Sequence, residues 1–230
     1  ARTADLLQRI QRYRLRRSVN IEPISDMQLF LWWGYKGSIK PEDTSIFLDP
    51  RHADLGCRIL SYNKTLPKVM KSALPATFNN WEACRISQAI PEGHVDLEPG
   101  RALMLESGLD KLSAVDFEKG CYIGQEVTAR THYRGLIKRR LIPLRCDGPP
   151  PISGSNITWQ NKIIGTSKTA TPCDTEHSQS VLLALLKLED IHDILDTMCN
   201  QAGKDLMVDG SPAKLCPPDW CLPLPKVVKR

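Results

Sequence analysis

The amino-acid sequence predicts an α+β protein whose C-terminal part is a small β-barrel. Strand-like and helix-like patterns mix over residues 18–89, and beyond Arg134 the pattern changes to short strand-type runs with regular turns. The chain has 230 residues, 41% of them hydrophobic and 25% charged, an ordinary globular composition with room for more than one core. No apolar run approaches the ~20 residues needed to cross a bilayer, so no membrane association is expected.

The elements follow in order. Leu6, Leu7, Ile10, Tyr13 and Leu15 recur at helical spacing among arginines, which predicts an amphipathic helix over residues 3–17. Ser18–Pro23 alternates apolar and polar residues as a strand does. Met27–Trp33 is a strand-rich run closed at Gly34, Thr44–Leu48 a shorter one stopped by Asp49-Pro50-Arg51, and Cys57–Tyr62 a third after Gly56. Lys64–Ser72 reads as a short helix. Phe78–Ala89 reads as a stronger one, entered through Asn79 or Asn80 as its cap. Residues 1–89 are thus expected to hold the first helix and a ferredoxin-like α+β unit. Residues 90–136 are loop-like and punctuated by glycine, a central segment whose Leu103, Met104, Leu105, Leu109 and Leu112 are expected to lie exposed.

Residues 137–230 carry the barrel and a tail. Leu141–Cys146 is a strand, Asp147–Ser155 a turn-rich connection, and Asn156–Ala170 a strand, turn and strand. Val181–Leu188 is an apolar run that suits strand or helix. Lys204–Leu215 is a hairpin on Asp209-Gly210, the dipeptide that turns tightly with positive φ. The Pro-rich end after Cys216 reads as a peripheral tail. Trp32, Trp33, Trp81 and Trp159 are expected in cores.

The net charge of +5 is mild and concentrated in two clusters, Arg9–Arg17 and Arg130–Arg140. A solvated face is the commonest reading of such clusters and an anionic ligand or partner the sharper one. No nucleic-acid-binding pattern accompanies them, so direct binding of nucleic acid is not expected. The eight cysteines stand at 57, 84, 121, 146, 173, 199, 216 and 221, with no C-x-x-C. Without a secretion signal they read as free thiols in a reducing compartment, and Cys216 and Cys221 lack the further ligands of a closed zinc site.

The chemistry concentrates in Phe117–Arg130, which presents Cys121 between Gly120 and Gly124. Glycines admit backbone angles that other residues resist. Lys119 puts a cation beside the thiol and Arg130 lies a few residues on; nearby cations favour thiolate, the nucleophilic and metal-binding form. Gln125 and Glu126 can open a helix whose first turn favours an acid and whose amides suit an anion. A small buried cysteine at a tight turn is the plainer alternative. His132, two residues beyond Arg130, reads as a solvent-facing histidine rather than a metal ligand.

The string Lys119-Gly120-Cys121-Tyr122-Ile123-Gly124-Gln125-Glu126, followed by Arg130, resembles the signature of the folate-binding YgfZ/GcvT-like family, relatives of the glycine-cleavage T-protein. Asp49-Pro50-Arg51 with Leu55-Gly56-Cys57-Arg58 is similar to the family's DPR and LGxR elements. Trp81–Ile86 followed by Ile90-Pro91-Glu92-Gly93 matches its WExxRI and PEG elements, and Pro218-Asp219-Trp220 its closing motif. Leu105-Glu106-Ser107-Gly108-Leu109 is similar to the segment that supplies the T-protein's pteridine-binding glutamate. Family members open with a further stretch of strands and helices that completes the central domain; it does not occur in these residues.

The resemblance implies a GcvT-like multidomain ring around a channel, with tetrahydrofolate as cofactor and a role in assembly or repair of iron–sulfur proteins. It makes Cys121, with Lys119, the candidate reactive group, and Glu106, Gly120, Tyr122, Gly124, Gln125, Glu126 and Arg130 the candidate folate-binding residues. Cys121 would also be a ligand to an iron–sulfur cluster shared with a partner, since one thiol cannot hold a cluster alone. Expected partners are folate, iron–sulfur assembly proteins and client iron–sulfur enzymes. The expected location is the bacterial cytoplasm or, in a eukaryote, the mitochondrial matrix. Two other functions stay open: a tetrahydrofolate-dependent aminomethyltransferase or methyltransferase of T-protein type, and a tRNA-modification factor.

Overall fold

The computed structural model describes residues 3–34, 45–62, 70–173, 176–198 and 205–225. They form two compact units, residues 1–49 with 56–73 and residues 50–55 with 74–230.

The first unit opens with helix α1 (Thr3–Arg14), which buries no residue. Asp5 in its first turn and Arg12 and Arg14 in its last complement the helix dipole, and Asp5 pairs with Arg9 one turn on. Residues 18–23, expected as a strand, form no regular element. Strands β1 (Gln28–Trp32), β2 (Ser45–Leu48) and β3 (Cys57–Ser61) make an antiparallel sheet with β3 in the centre. Trp32, Ile59 and Met70 form its small core. Gly56 has φ +66, and a Cβ there would collide with the backbone of Trp32 and Trp33, so no other residue fits this approach. Buried Asp49 accepts from Arg58 Nε at 2.9 Å, fixing the adjoining strand ends. Most of the expected helix at 64–72 lies outside the described residues.

The first α-helix of the second unit is α2 (Phe78–Ser87). The helix is capped by Thr77, not by Asn79 or Asn80. Thr77 Oγ1 receives the Asn80 N–H, and Asn80 Oδ1 receives the Thr77 N–H in return, so Asn80 is the third helical residue of a reciprocal capping box. Trp81, Arg85 and Ile86 are buried on α2, and Ile86 packs on the barrel. The segment read from sequence as closing the first unit therefore lies with the barrel. A short helix, α3 (Gly93–Asp96), follows. Asp96 is buried at a junction: its Oδ2 receives Arg85 Nη1 at 2.8 Å and the Glu92 N–H, and its Oδ1 receives the Thr169 N–H at 3.0 Å.

Residues 97–124 run in turns to helix α4 (Gln125–Tyr133). Six strands close the barrel in the order β4-β7-β6-β5-β8-β9: β4 (Arg139–Asp147), β5 (Asn156–Trp159), β6 (Lys162–Pro172), β7 (Gln179–Lys187), β8 (Leu206–Val208) and β9 (Ser211–Leu215). The turn residues Gln160-Asn161 and Asp209-Gly210 all have positive φ, as tight two-residue hairpins require. Val181–Leu188 resolves as strand β7 up to Lys187, and helix α5 (Leu188–Met198) starts where the run ends. The run is continuous in sequence because both of its faces are covered. Leu182, Ala184 and Leu186 point into the barrel core, while Val181 and Leu183 pack with Ile86 of α2 and with Cys221. The end of the chain is accordingly not peripheral through residue 224. Cys221 and Leu224 are buried, and Trp220 Nε1 donates to the Gln88 carbonyl at 3.1 Å. Of the five residues expected exposed in the central segment, Leu103 is exposed, but Leu105 and Leu112 are buried, Leu105 in the barrel core.

Candidate functional site

The thiol sits on a turn built by local hydrogen bonds. Asp116 Oδ1 accepts the backbone N–H groups of Glu118 and Lys119 at 2.9 and 3.2 Å, bending the chain ahead of Gly120. Gly124, at φ +89, is the N-cap of α4. Gln125 locks the other side of the turn: its Oε1 accepts the Tyr122 N–H at 3.1 Å, while its own N–H donates to the Tyr122 carbonyl at 3.2 Å. Lys119 Nζ lies 4.7 Å from the centre of the Tyr122 ring, a cation–π contact. Phe117 stacks on His132 at 3.8 Å and packs against the barrel core, tying the turn to α4. His132 is thereby a stacking partner on an exposed helix face.

Cys121 is exposed, which removes the alternative of a small buried cysteine. Gly120 and Glu126 are exposed as well; Arg130 is exposed on α4, and Tyr122 is half-buried. Only Gly124 of the two flanking glycines uses the left-handed region; Gly120 does not, and open space surrounds it. The other thiols fall into two groups. Burial pushes Cys57 and Cys84 up, and pushes Cys146 and Cys221 to about 11, holding them as neutral thiols. Cys173 is exposed and Cys216 half-buried; Cys199 lies outside the described residues. Among the described residues, no three His, Cys, Asp or Glu side chains converge as a metal site.

Glu106 is buried, and its two oxygens face Arg139, with Oε1 3.3 Å from Nε and Oε2 3.2 Å from Nη2. Its carbonyl accepts the Leu141 N–H, so the carboxylate is fixed to the first strand of the barrel. Glu106 lies on a wall shared by two clefts. One, of about 230 Å³, is largely apolar and runs between Leu103–Leu105, Ile137, Lys138 and Val127, Thr128 and Thr131 of α4. The other, of about 290 Å³, is more polar and includes Ser107, Arg139, Thr166 and Lys168. The helix that the thiol turn opens thus forms one wall of the cleft that holds Glu106, which joins the two sequence motifs. Neither cleft is lined by residues 119–126, so Lys119, Gly120, Cys121, Tyr122, Gly124, Gln125 and Glu126 form a surface feature beside it.

Residue pattern alone did not single out the partner of Glu106. Arg139 counted as one cation of a cluster expected to meet an anionic ligand or partner, and its neighbour Arg140 proves to be fully buried, donating to the Leu105 carbonyl and to Asp110. Alternation along β4 was the available signal, since successive residues of a strand face opposite sides.

Residues 138–222 match the family model described as the CAF17 C-terminal beta-barrel domain, a span that covers strands β4 to β9. The chain is 37% identical over 161 residues to the iron-sulfur cluster assembly factor IBA57, mitochondrial, of Mus musculus, covering 65% of this chain and 44% of that protein. It is 38% identical over 155 residues to the Homo sapiens protein of the same name, covering 62% and 42%. An IBA57 homolog of Dictyostelium discoideum is 34% identical over 151 residues, covering 59% and 36%. The chain spans less than half the length of these curated relatives. The closed barrel and this similarity are in keeping with the resemblance of the chain to the YgfZ/GcvT-like family.

Proposed function

We propose that the protein is an accessory factor for iron–sulfur cluster assembly or repair that binds tetrahydrofolate, with Cys121 as its functional thiol. The observation that carries the proposal is the exposure of Cys121 on a hydrogen-bonded turn, while four other thiols are held neutral by burial. The names of its relatives supply the process, and their word mitochondrial supports the matrix as the place of action. Thiolate is the protein ligand that iron–sulfur clusters select. A single exposed thiolate supplies one ligand, so a cluster carried here as cargo needs the rest from a partner assembly protein or client enzyme.

The clefts beside Glu106 fit the bicyclic ring of the cofactor in size and donor set. At about 230 and 290 Å³ they lie just below the ~300–1,000 Å³ usual for small-molecule sites, enough for a bicyclic ring but not for a whole folate. The pyrimidine edge of a pterin offers N–H donors beside a carbonyl acceptor. The Glu106 carboxylate suits the donors and the Arg139 guanidinium the acceptor. Lys138, at the α4 side of the apolar cleft, and exposed Arg130 are the cations available to the acidic tail. Bound tetrahydrofolate would supply a one-carbon carrier or a further ligand. The role of Gln125 is to hold the turn through its bond to Tyr122, and that of Gly124 to start the helix. Nothing among the described residues favours the aminomethyltransferase or tRNA-modification alternatives over this reading.

Anaerobic titration with tetrahydrofolate, alongside rescue of iron–sulfur enzyme activity in cells lacking the protein, tests both halves. Glu106→Gln is expected to weaken tetrahydrofolate binding at least tenfold. Cys121→Ala is expected to keep folate binding and lose rescue. Full rescue by Cys121→Ala refutes the thiol's role; unchanged binding by Glu106→Gln refutes the cofactor assignment.

A further inference from the structure

Helix α4 belongs to both the thiol turn and the apolar cleft. Gln125, its first residue, closes the turn with two hydrogen bonds to Tyr122, one accepted by its side chain and one donated by its own N–H. Val127, Thr128 and Thr131, further along the helix, line the cleft. The turn is therefore closed, and the cleft walled on that side, only while α4 is formed.

Little else holds the helix. It has nine residues, and isolated helices shorter than ~12–15 residues are marginal in water. Its N-cap, Gly124, offers no side chain to the first free N–H groups. Thr128 is its one buried residue, and Val127, on the cleft side, is 59% exposed. Among the described residues, no hydrogen bond or ion pair joins an α4 side chain to the barrel. The remaining tie is the stack of His132 on Phe117, which itself packs on the barrel core. A segment so lightly packed opens by itself, at less cost than unfolding the whole domain.

We infer that α4 couples the two features: a ligand seated against Val127, Thr128 and Thr131 keeps the helix formed and so keeps closed the turn that presents Cys121. The ligand is the tetrahydrofolate of the proposed function, on which this coupling rests. A ligand that binds only the formed helix lowers the open population by one plus the ratio of its concentration to Kd, about 100-fold at a hundred times Kd. Such a linkage is reciprocal, so a partner that binds only the closed turn tightens the hold on tetrahydrofolate by the same factor. Loaded protein thus offers its partner an ordered thiol, and empty protein a looser one, without contact between ligand and thiol.

The test is amide hydrogen exchange of the full chain, read by NMR with and without tetrahydrofolate under anaerobic conditions, beside a calorimetric titration that gives Kd. In the free protein the α4 amides are expected to exchange faster than those of β7. Tetrahydrofolate at a hundred times Kd is expected to slow them about 100-fold, and to slow equally the amides of Tyr122 and Gln125, which line neither cleft. His132→Ala, which removes the stack from outside the cleft, is expected to speed exchange at α4 and at Tyr122 about fivefold, the size of effect a ring pair gives. Measured binding without added protection at Tyr122 and Gln125 overturns the coupling and leaves the folate reading standing. So does a His132→Ala protein in which α4 exchanges faster and Tyr122 does not. Exchange of α4 in the free protein as slow as that of β7 overturns its separate opening. A titration that shows no binding overturns the folate reading, and the coupling with it.

Discussion

The Glu106 segment and the Lys119–Gly124 turn are the two most distinctive stretches of sequence, and the fold treats them in opposite ways. Glu106 is buried, ion-paired to Arg139 and tied through its carbonyl to β4, and its neighbours Leu105 and Ser107 are buried with it. The turn is held by local bonds from Asp116 and Gln125, and Ile123 at its tip is 98% exposed. A binding carboxylate has to be desolvated and oriented, which only packing achieves. A thiol that must meet another protein has to stand clear of packing. On the proposed function, substitutions in the first region should therefore register in stability as well as in folate binding, and those in the second in function alone.

The largest stability effect is expected behind the Glu106 segment. Arg140→Met removes a buried guanidinium that donates to the Leu105 carbonyl and Asp110, stranding both acceptors. The loss should be about 3–5 kcal/mol by chemical denaturation, the usual size for breaking a buried charge pair. A loss under about 1 kcal/mol would dissolve the contrast. Next is Ile86→Ala, which opens a cavity between α2 and the outer face of β7 and should cost about 2–5 kcal/mol. Gly124→Ala is smaller, roughly 1 kcal/mol, since the residue keeps φ +89 in open space and meets only backbone strain. Cys121→Ala should change stability by less than about 0.5 kcal/mol, as exposed substitutions do. A larger loss would mean that the turn is part of the packed structure.

The thiols sharpen the same contrast by pH. Cys146 and Cys221 are raised by burial from 9.0 to about 11. A folded-state value above the unfolded one means that their contribution to stability is complete below pH 9. It is lost as pH rises from 9 to 11, where the unfolded chain ionises first. Denaturation midpoints across that window should fall. At pH 8, iodoacetamide should alkylate Cys121 and Cys173 in the native protein while sparing Cys146 and Cys221, as peptide mass spectrometry would show. Rapid labelling of the buried pair would remove the distinction.

Much of this was legible in sequence where a local rule decides the outcome. The hairpins at Gln160-Asn161 and Asp209-Gly210, the strands of the barrel and the start of α4 at Gln125 follow from turn chemistry and alternation. What was not legible depended on distant partners. The Asn79 or Asn80 cap lost to Thr77 because Asn80 serves as the reciprocal member of the box. Val181–Leu188 was ambiguous because helix α2 and the chain end cover its outer face, erasing alternation. The tail looked peripheral because prolines mark loops, yet Trp220 reaches the Gln88 carbonyl far away in sequence. Of the site, the thiol turn was plain, and the pairing of Glu106 with Arg139 was not, since nothing local links residues so far apart.

The seam of the barrel has a consequence for how the chain acquires its structure. β4 pairs along its length with β7, and its free side is met by β9, which begins at Ser211. Until β9 arrives, Leu144, Arg145 and Cys146 present unpaired backbone groups, and the interior leucines and isoleucines remain open to water on one side. Pairings so distant along the chain form slowly, because loop entropy is lost before contacts repay it. During synthesis the nascent barrel therefore carries a sticky edge until its last strand has left the ribosome.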